Sequence, residues 1–134
     1  MNIRDYIKEK KLICDGAFGT YFSLINSEIL PEKANISAPD TVYRIHSEYI
    51  GNGANLIRTN TFASNRQNLG CSKKELVDNI KAAFQIAKKA AGDNVFVACD
   101  MGPDSSVVYF TIAETFIEQG AEIILFETLS EIDN

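Results

Sequence analysis

Asn55-Leu56-Ile57-Arg58, running straight into Thr59-Asn60-Thr61-Phe62, is the stretch that decides the fold. A short apolar run ends there in a dense hydrogen-bonding loop with an aromatic beside it. Outward from it the pattern repeats three times. Leu12-Ile13-Cys14 leads into Asp15-Gly16-Ala17-Phe18-Gly19-Thr20, Val95-Phe96-Val97-Ala98-Cys99 into Asp100-Met101-Gly102-Pro103, and Ile123-Ile124-Leu125-Phe126 into Glu127-Thr128. Helical sequence separates each run from the next. Strand and helix in steady alternation predict about four parallel strands with right-handed crossovers. All strand-end loops then share one face, where such folds build their sites.

The helices between the runs carry their own signals. Residues 2–11 predict a short helix. Tyr21 to Ile36 reads as irregular, with Pro31 interrupting any long helix. Ala38-Pro39-Asp40 starts a second helix whose Val42, Ile45, Tyr49 and Ile50 form one apolar stripe, stopped by Gly51 and Gly53. Ser72 and Glu75 make an S-x-x-E capping box ahead of Leu76, Ile80, Ala83, Phe84 and Ala87, and Gly92 ends that helix. A last helix is expected from Val107 to Gln119.

At 134 residues with 46% apolar content, the chain fits one domain with a core. A net charge of −5 argues against a nucleic-acid surface. No apolar run approaches the roughly 20 residues that span a bilayer, and Met1-Asn2-Ile3-Arg4-Asp5 lacks the apolar stretch of a signal peptide. Three unclustered cysteines make no disulfide framework. These features predict a cytoplasmic protein. The spacing of Asp15-Gly16-Ala17-Phe18-Gly19 is not that of a dinucleotide fingerprint, and no phosphate-binding P-loop is present.

Two architectures remain, an open doubly wound sheet and a (β/α) barrel. A barrel needs eight units and about 250 residues, so four units are half of one. In the first loop, two glycines let backbone amides approach a ligand, and a turn of N–H groups suits a carboxylate while Asp15 suits an ammonium. Alternatively Asp15 caps the following turn. Thr59-Asn60-Thr61-Phe62 is either part of a pocket or a network that orders the loops. Glu127 ends a fully apolar strand, where a carboxylate is costly unless a cationic group meets it. Asp100-Met101-Gly102-Pro103 reads mostly as a turn.

Asp-Gly-Ala-Phe-Gly-Thr at 15–20, Asn35-Ile36, Ala38-Pro39-Asp40, Ile45-His46 with Tyr49, Gly53-Ala54, Thr59-Asn60-Thr61-Phe62-Ala63, Gly102-Pro103 and Phe126-Glu127-Thr128 occur in that order. Together they resemble the homocysteine S-methyltransferase family over nearly the whole chain. That family includes the first module of cobalamin-dependent methionine synthase, betaine-dependent enzymes, and fusions with methylenetetrahydrofolate reductase. The resemblance implies a (β/α)8 TIM barrel that transfers a methyl group to the homocysteine thiol, giving methionine in one-carbon metabolism. It implies that Asp15 and Glu127 hold the substrate's amino group. The amides around Gly16, Ala17 and Phe18 would hold its carboxylate, with Phe62 near the pocket and Asn60 and Thr61 organising it. For the methyl donor, Asn35-Ile36 and Ala38-Pro39-Asp40 lean toward the folate-linked branch, with a methylated folate used directly or through cobalamin, over the betaine branch.

The family activates the thiol with zinc held by three cysteines on later strands, because only the thiolate attacks. Those positions do not occur in this chain. Cys14, Cys71 and Cys99 match no zinc spacing, and His46 is expected on an outer helix, so neither catalytic nor metal residues are assigned. Between Pro103 and Gly120 the chain is shorter than the family usually is, through a trimmed loop or an internal gap. The expectation is a single partial barrel domain, residues 1–134, truncated after strand four and inactive alone. A half barrel exposes unpaired edges, so self-association is expected. The competing function is a non-catalytic half-barrel module that binds a small amino acid or assembles with a partner.

Overall fold

The computed structural model describes residues 2–129; the end of the expected domain, residues 130–134, lies outside them. Helix α1 (Ile3–Glu9) begins at Asn2, whose side chain accepts the Arg4 N–H. The next segment lies alongside strand β1 (Leu56–Arg58) but pairs with it only as a single parallel bridge, Cys14 to Leu56. The Asp15 N–H donates to the Leu56 carbonyl at 3.0 Å and the Asn55 N–H to the Ile13 carbonyl at 2.9 Å. The first expected strand is thus this bridge, and the described sheet has three strands in place of four.

The stretch expected to be irregular is largely helical. Helix α2 (Phe18–Ile25), a 3-10 turn at Pro31–Lys33 and helix α3 (Ala34–Ser37) follow one another before helix α4 (Pro39–Gly51). Tertiary packing explains it. Phe22 is buried with Ala34, Val42 and Ile45 in one apolar cluster, which rewards a helix that the Gly19-Thr20 sequence disfavours. Pro31 starts the 3-10 turn instead of merely ending a helix.

A short α5 (Arg66–Leu69) precedes α6 (Lys73–Ala91), which opens with the expected capping box. Ser72 Oγ accepts the Glu75 N–H at 3.2 Å and Glu75 returns the bond to the Ser72 N–H at 2.7 Å. Its buried face includes Leu76, Ile80, Ala83, Phe84 and Ala87, as the spacing predicts. Each large side chain so buried contributes about 1.5–3 kcal/mol. Strand β2 (Phe96–Met101), helix α7 (Ser106–Glu118) and strand β3 (Ile124–Phe126) complete the described chain.

β1, β2 and β3 lie side by side in that order, all parallel, with Ile57 opposite Val97 and Asp100 opposite Leu125. The main core, built on Ile57, Ile80, Phe84, Met101 and Phe116, fills the space between the sheet and helices α6 and α7. The parallel register brings the ends of Cys14, β1, β2 and β3 to one edge. Among the described residues no helix is long and apolar enough to cross a membrane.

Candidate functional site

Arg58, the last residue of β1, is a cation in an otherwise apolar strand and therefore needs partners. Its Nε donates to Asp15 Oδ1 at 3.0 Å, its Nη1 lies 3.0 Å from both oxygens of Glu127, and its Nη2 donates to the Gly16 carbonyl at 2.8 Å. Its backbone N–H reaches Asp15 Oδ2 at 3.0 Å. The Asp15 side chain is 0% exposed, that of Arg58 22% and that of Glu127 32%. Burial works against the guanidinium charge, but Asp15 and Glu127 outweigh it and raise the pKa above the ordinary arginine value.

Beyond Arg58 the backbone is held by a closed ring of hydrogen bonds. Thr61 Oγ1 donates to the Asp100 carbonyl at 2.6 Å, and the Asp100 N–H donates to Thr59 Oγ1 at 3.0 Å. With the Thr61 hydrogen engaged, the 2.7 Å contact between the two hydroxyls is donated by Thr59. Asn60 gives its amide hydrogens to the Pro31 carbonyl and to Asn35 Oδ1, at 2.8 and 3.0 Å. Asn35 in turn donates to the Asn60 carbonyl at 2.8 Å and to Asn79 Oδ1 at 3.2 Å. Asn79 also accepts from Ser64 Oγ and donates to the Glu32 carbonyl.

These elements enclose a cavity of about 370 Å³ at the C-terminal edge of the sheet. Of the residues expected at the site, Ala17, Phe18, Asn60, Thr61, Phe62 and Glu127 line it; Asp15 and Gly16 lie behind Arg58. Phe62 sits at the rim, 43% exposed. Ala17 is the N-cap of α2 and offers no side-chain hydrogen bond, so the first N–H groups of that helix are uncapped where it borders the cavity. Three carboxyl groups, Glu32, Asp100 and Glu127, line the same cavity. Glu32 Oε1 accepts the Ala63 N–H at 3.0 Å, while Glu32 Oε2 and Asp100 Oδ1 are buried without a partner. Burial, followed by the hydrogen bond and charge of Glu127, pushes the Asp100 carboxyl up to about 8, against the opposing pull of Arg58.

Arg58, Glu32 and Asp100 were not assigned from sequence. Arg58 had a signal, a lone charge inside an apolar run; Glu32 had none. His46 is fully buried, its ring 5.0 Å from that of Phe18, with neither nitrogen hydrogen-bonded. Burial lowers it to about 4, so it is a neutral packing residue at neutral pH. A larger cleft of about 480 Å³ lies at the opposite edge, between Gly92–Val97 and Gly120–Ile123, away from the strand ends where parallel folds place chemistry.

The zinc implied by the resemblance finds no ligand set among the described residues. No three His, Cys, Asp or Glu side chains there are placed to hold a metal ion. Burial leads the causes that raise the thiols of Cys14 and Cys71, and it pushes Cys99 to about 12, so all three are protonated thiols.

A family model for homocysteine S-methyltransferase matches residues 12–134. The methionine synthase of Mycobacterium tuberculosis (strain ATCC 25618 / H37Rv) is 25% identical over 162 residues, covering 98% of this chain and 13% of that protein. That of Mycobacterium leprae (strain TN) is 26% identical over 164 residues, with the same coverage of 98% and 13%. Both alignments are longer than the chain, so these relatives carry residues with no counterpart here. The metallated form of the homocysteine methyltransferase MmuM from Escherichia coli superposes with a TM-score of 0.81 at 18% identity, over 95% of this chain and 57% of that one. Its oxidized form gives 0.76 at 17%, over 91% and 55%. The chain thus spans little more than half of the solved structures it matches and about an eighth of the curated relatives. With strand order, strand-end cavity and sequence motifs in agreement, the chain belongs to the homocysteine S-methyltransferase family.

Proposed function

We propose that residues 1–134 form the amino-acid-gripping part of a homocysteine S-methyltransferase barrel. In this reading the cavity holds homocysteine as a zwitterion while its thiol is methylated to give methionine. One observation carries it: the same cavity is lined both by the uncapped first turn of α2 and by three carboxyl groups. The uncapped first turn of α2 offers N–H groups and a positive helix end to the carboxylate, worth about 0.3–1 kcal/mol and more where water is excluded. The buried carboxyl groups of Glu32 and Asp100, each with an unpartnered oxygen, suit an ammonium.

Phe62 and Phe18 supply apolar surface for the side-chain methylenes, and the Thr59–Thr61–Asp100 ring fixes the loop that carries Phe62. The described residues bind and orient; activation of the thiol, by zinc in the family, belongs to other residues, as does the methylated folate or cobalamin donor. The chain would act inside the cytoplasm with the remainder of a barrel or a second copy covering its open edge.

Calorimetric titration with L-homocysteine tests this. Saturable binding that Glu127→Gln weakens is expected, and it should be accompanied by methyl transfer only when the zinc-bearing part is supplied. Absence of any heat with L-homocysteine, from protein shown folded by circular dichroism, overturns the reading. Turnover by this chain alone would overturn the division of labour.

A further inference from the structure

The cleft of about 480 Å³ where β2 and β3 begin has the size of a small-molecule site, about 300–1,000 Å³. Phe96 lines it, while Asp100 on the same strand lines the cavity at the strand ends, about 13 Å further along. The two cavities are therefore separate.

Three kinds of group meet in this cleft. Tyr6 of α1 and Phe96 of β2 pack edge to face with ring centroids 5.1 Å apart, and Lys10 Nζ lies 5.5 Å over the Tyr6 ring. Lys88, in the last turn of α6, brings a second cation to the lining. Neither lysine is in an ion pair among the described residues. The turn after α6 adds the N–H groups of Asp93, Asn94 and Val95, which reach no acceptor among the described residues. Successive backbone N–H groups in a turn suit an anion. Asp93 and Glu122, also in the lining, contribute carboxylates.

We propose that this cleft is a second binding site, for a nucleoside monophosphate. Each part of such a ligand meets matching chemistry. The flat base has the rings of Tyr6 and Phe96 to pack on. The phosphate has two unpaired lysines and the N–H groups of the turn. Sugar hydroxyls and base N–H groups have the carboxylates of Asp93 and Glu122 as acceptors. One phosphate fits better than three. Lys10 and Lys88 balance the dianion of a monophosphate, whereas Asp93 and Glu122 would repel the further charge of a triphosphate.

Ligand binding there would also fasten α1. That helix buries no residue of its own. Tyr6 ties it to the sheet through the Phe96 ring and through the Asn55 amide, which donates to the Tyr6 hydroxyl at 3.0 Å. A base packed on Tyr6 adds a further hold.

The test is calorimetric titration of the whole chain with adenosine monophosphate, adenosine, adenosine triphosphate and inorganic phosphate. Saturable binding of the monophosphate below about 1 mM is expected, with adenosine and inorganic phosphate each about tenfold weaker or more. Replacing both lysines, Lys10→Gln with Lys88→Gln, should weaken the monophosphate about tenfold and leave adenosine unchanged. Both side chains are exposed, so the fold is not at risk. Amide exchange over residues 3–9 should slow when the monophosphate is added. No binding by about 10 mM overturns the inference, as does affinity that the paired lysine substitution leaves intact. Tighter binding of the triphosphate, or α1 exchange unchanged at saturation, overturns it as well.

Discussion

The Nη1 atom of Arg58 lies 3.0 Å from both carboxylate oxygens of Glu127, a residue 69 positions further along the chain. Through the same guanidinium Glu127 is joined to Asp15, so the ends of the first bridge, β1 and β3 are tied by one side chain. The guanidinium lines the cavity together with the carboxyl groups of Glu32, Asp100 and Glu127, and its charge is offset by the Asp15 carboxylate behind it.

Arg58→Leu should destabilise the fold by about 3 kcal/mol, because it leaves Asp15 ionised and buried with no cation. Urea denaturation measures it. Adding Asp15→Asn to Arg58→Leu should recover part of the loss. Glu127→Gln alone should cost less, its side chain being about a third exposed.

Asn79 is the hub of a buried amide network, accepting from Asn35 and Ser64 and donating to the Glu32 carbonyl. Asn79→Leu should cost about 1–3 kcal/mol, the price of stranding buried donors and an acceptor. A double-mutant cycle with Asn35→Ala should show coupling above about 0.5 kcal/mol, because the two share partners. Additive effects would contradict the network.

Two buried groups set opposite pH slopes. The folded state holds the Asp100 proton up to about 8 against an ordinary value of 3.8, so this group makes stability fall as pH rises through that window. His46 is lowered from 6.5 to about 4, so the unfolded chain binds more protons there and stability rises with pH between those values. The two slopes oppose each other from about 4 to 6.5, and from 6.5 to about 8 only the Asp100 decline remains. Thermal melts should show that decline above pH 6.5, at up to about 1.4 kcal/mol per pH unit. Asp100→Asn should flatten it, and His46→Leu should extend it down toward pH 4.

Gly102 sits against the backbone of the Phe62 loop, and a Cβ there would meet the Phe62 carbonyl oxygen at 2.2 Å. Gly102→Ala must therefore push that loop out of place, with a loss of about 3 kcal/mol or more and weakened ligand binding. Gly51→Ala, where a Cβ meets nothing within 4 Å, serves as the control and should stabilise by a few tenths of a kcal/mol. Equal effects at the two glycines would refute the packing argument.

The outer face of α7 carries Val107, Phe110 and Ile117, each well over half exposed, and Phe126 is 48% exposed on β3. Sedimentation should show concentration-dependent association, which Phe110→Lys weakens. A monomer unaffected by concentration would rule this out.

Much of this architecture could be read from the chain. The apolar runs at 55–58, 95–99 and 123–126 became parallel strands, and Ser72 with Glu75 capped α6 as their spacing requires. Local signals of that kind are written in neighbouring residues. Helix α2 escaped because its stability comes from Phe22 meeting Val42 and Ile45, about twenty residues away. The roles of Glu32, Asn79 and Asp100 escaped for the same reason. Their chemistry depends on partners brought together only by the crossovers, and on burial that no periodicity encodes.

The direction of the Thr59–Thr61–Asp100 ring has one more consequence. Both hydroxyl hydrogens point along the ring, both Asn60 amide hydrogens are engaged by Pro31 and Asn35, and every guanidinium nitrogen of Arg58 already donates. That wall of the cavity can accept hydrogen bonds but scarcely give any. Discrimination there works by valence: it welcomes a guest rich in N–H groups and leaves a guest of carbonyl and phosphate oxygens without a donor, except at the tip of α2.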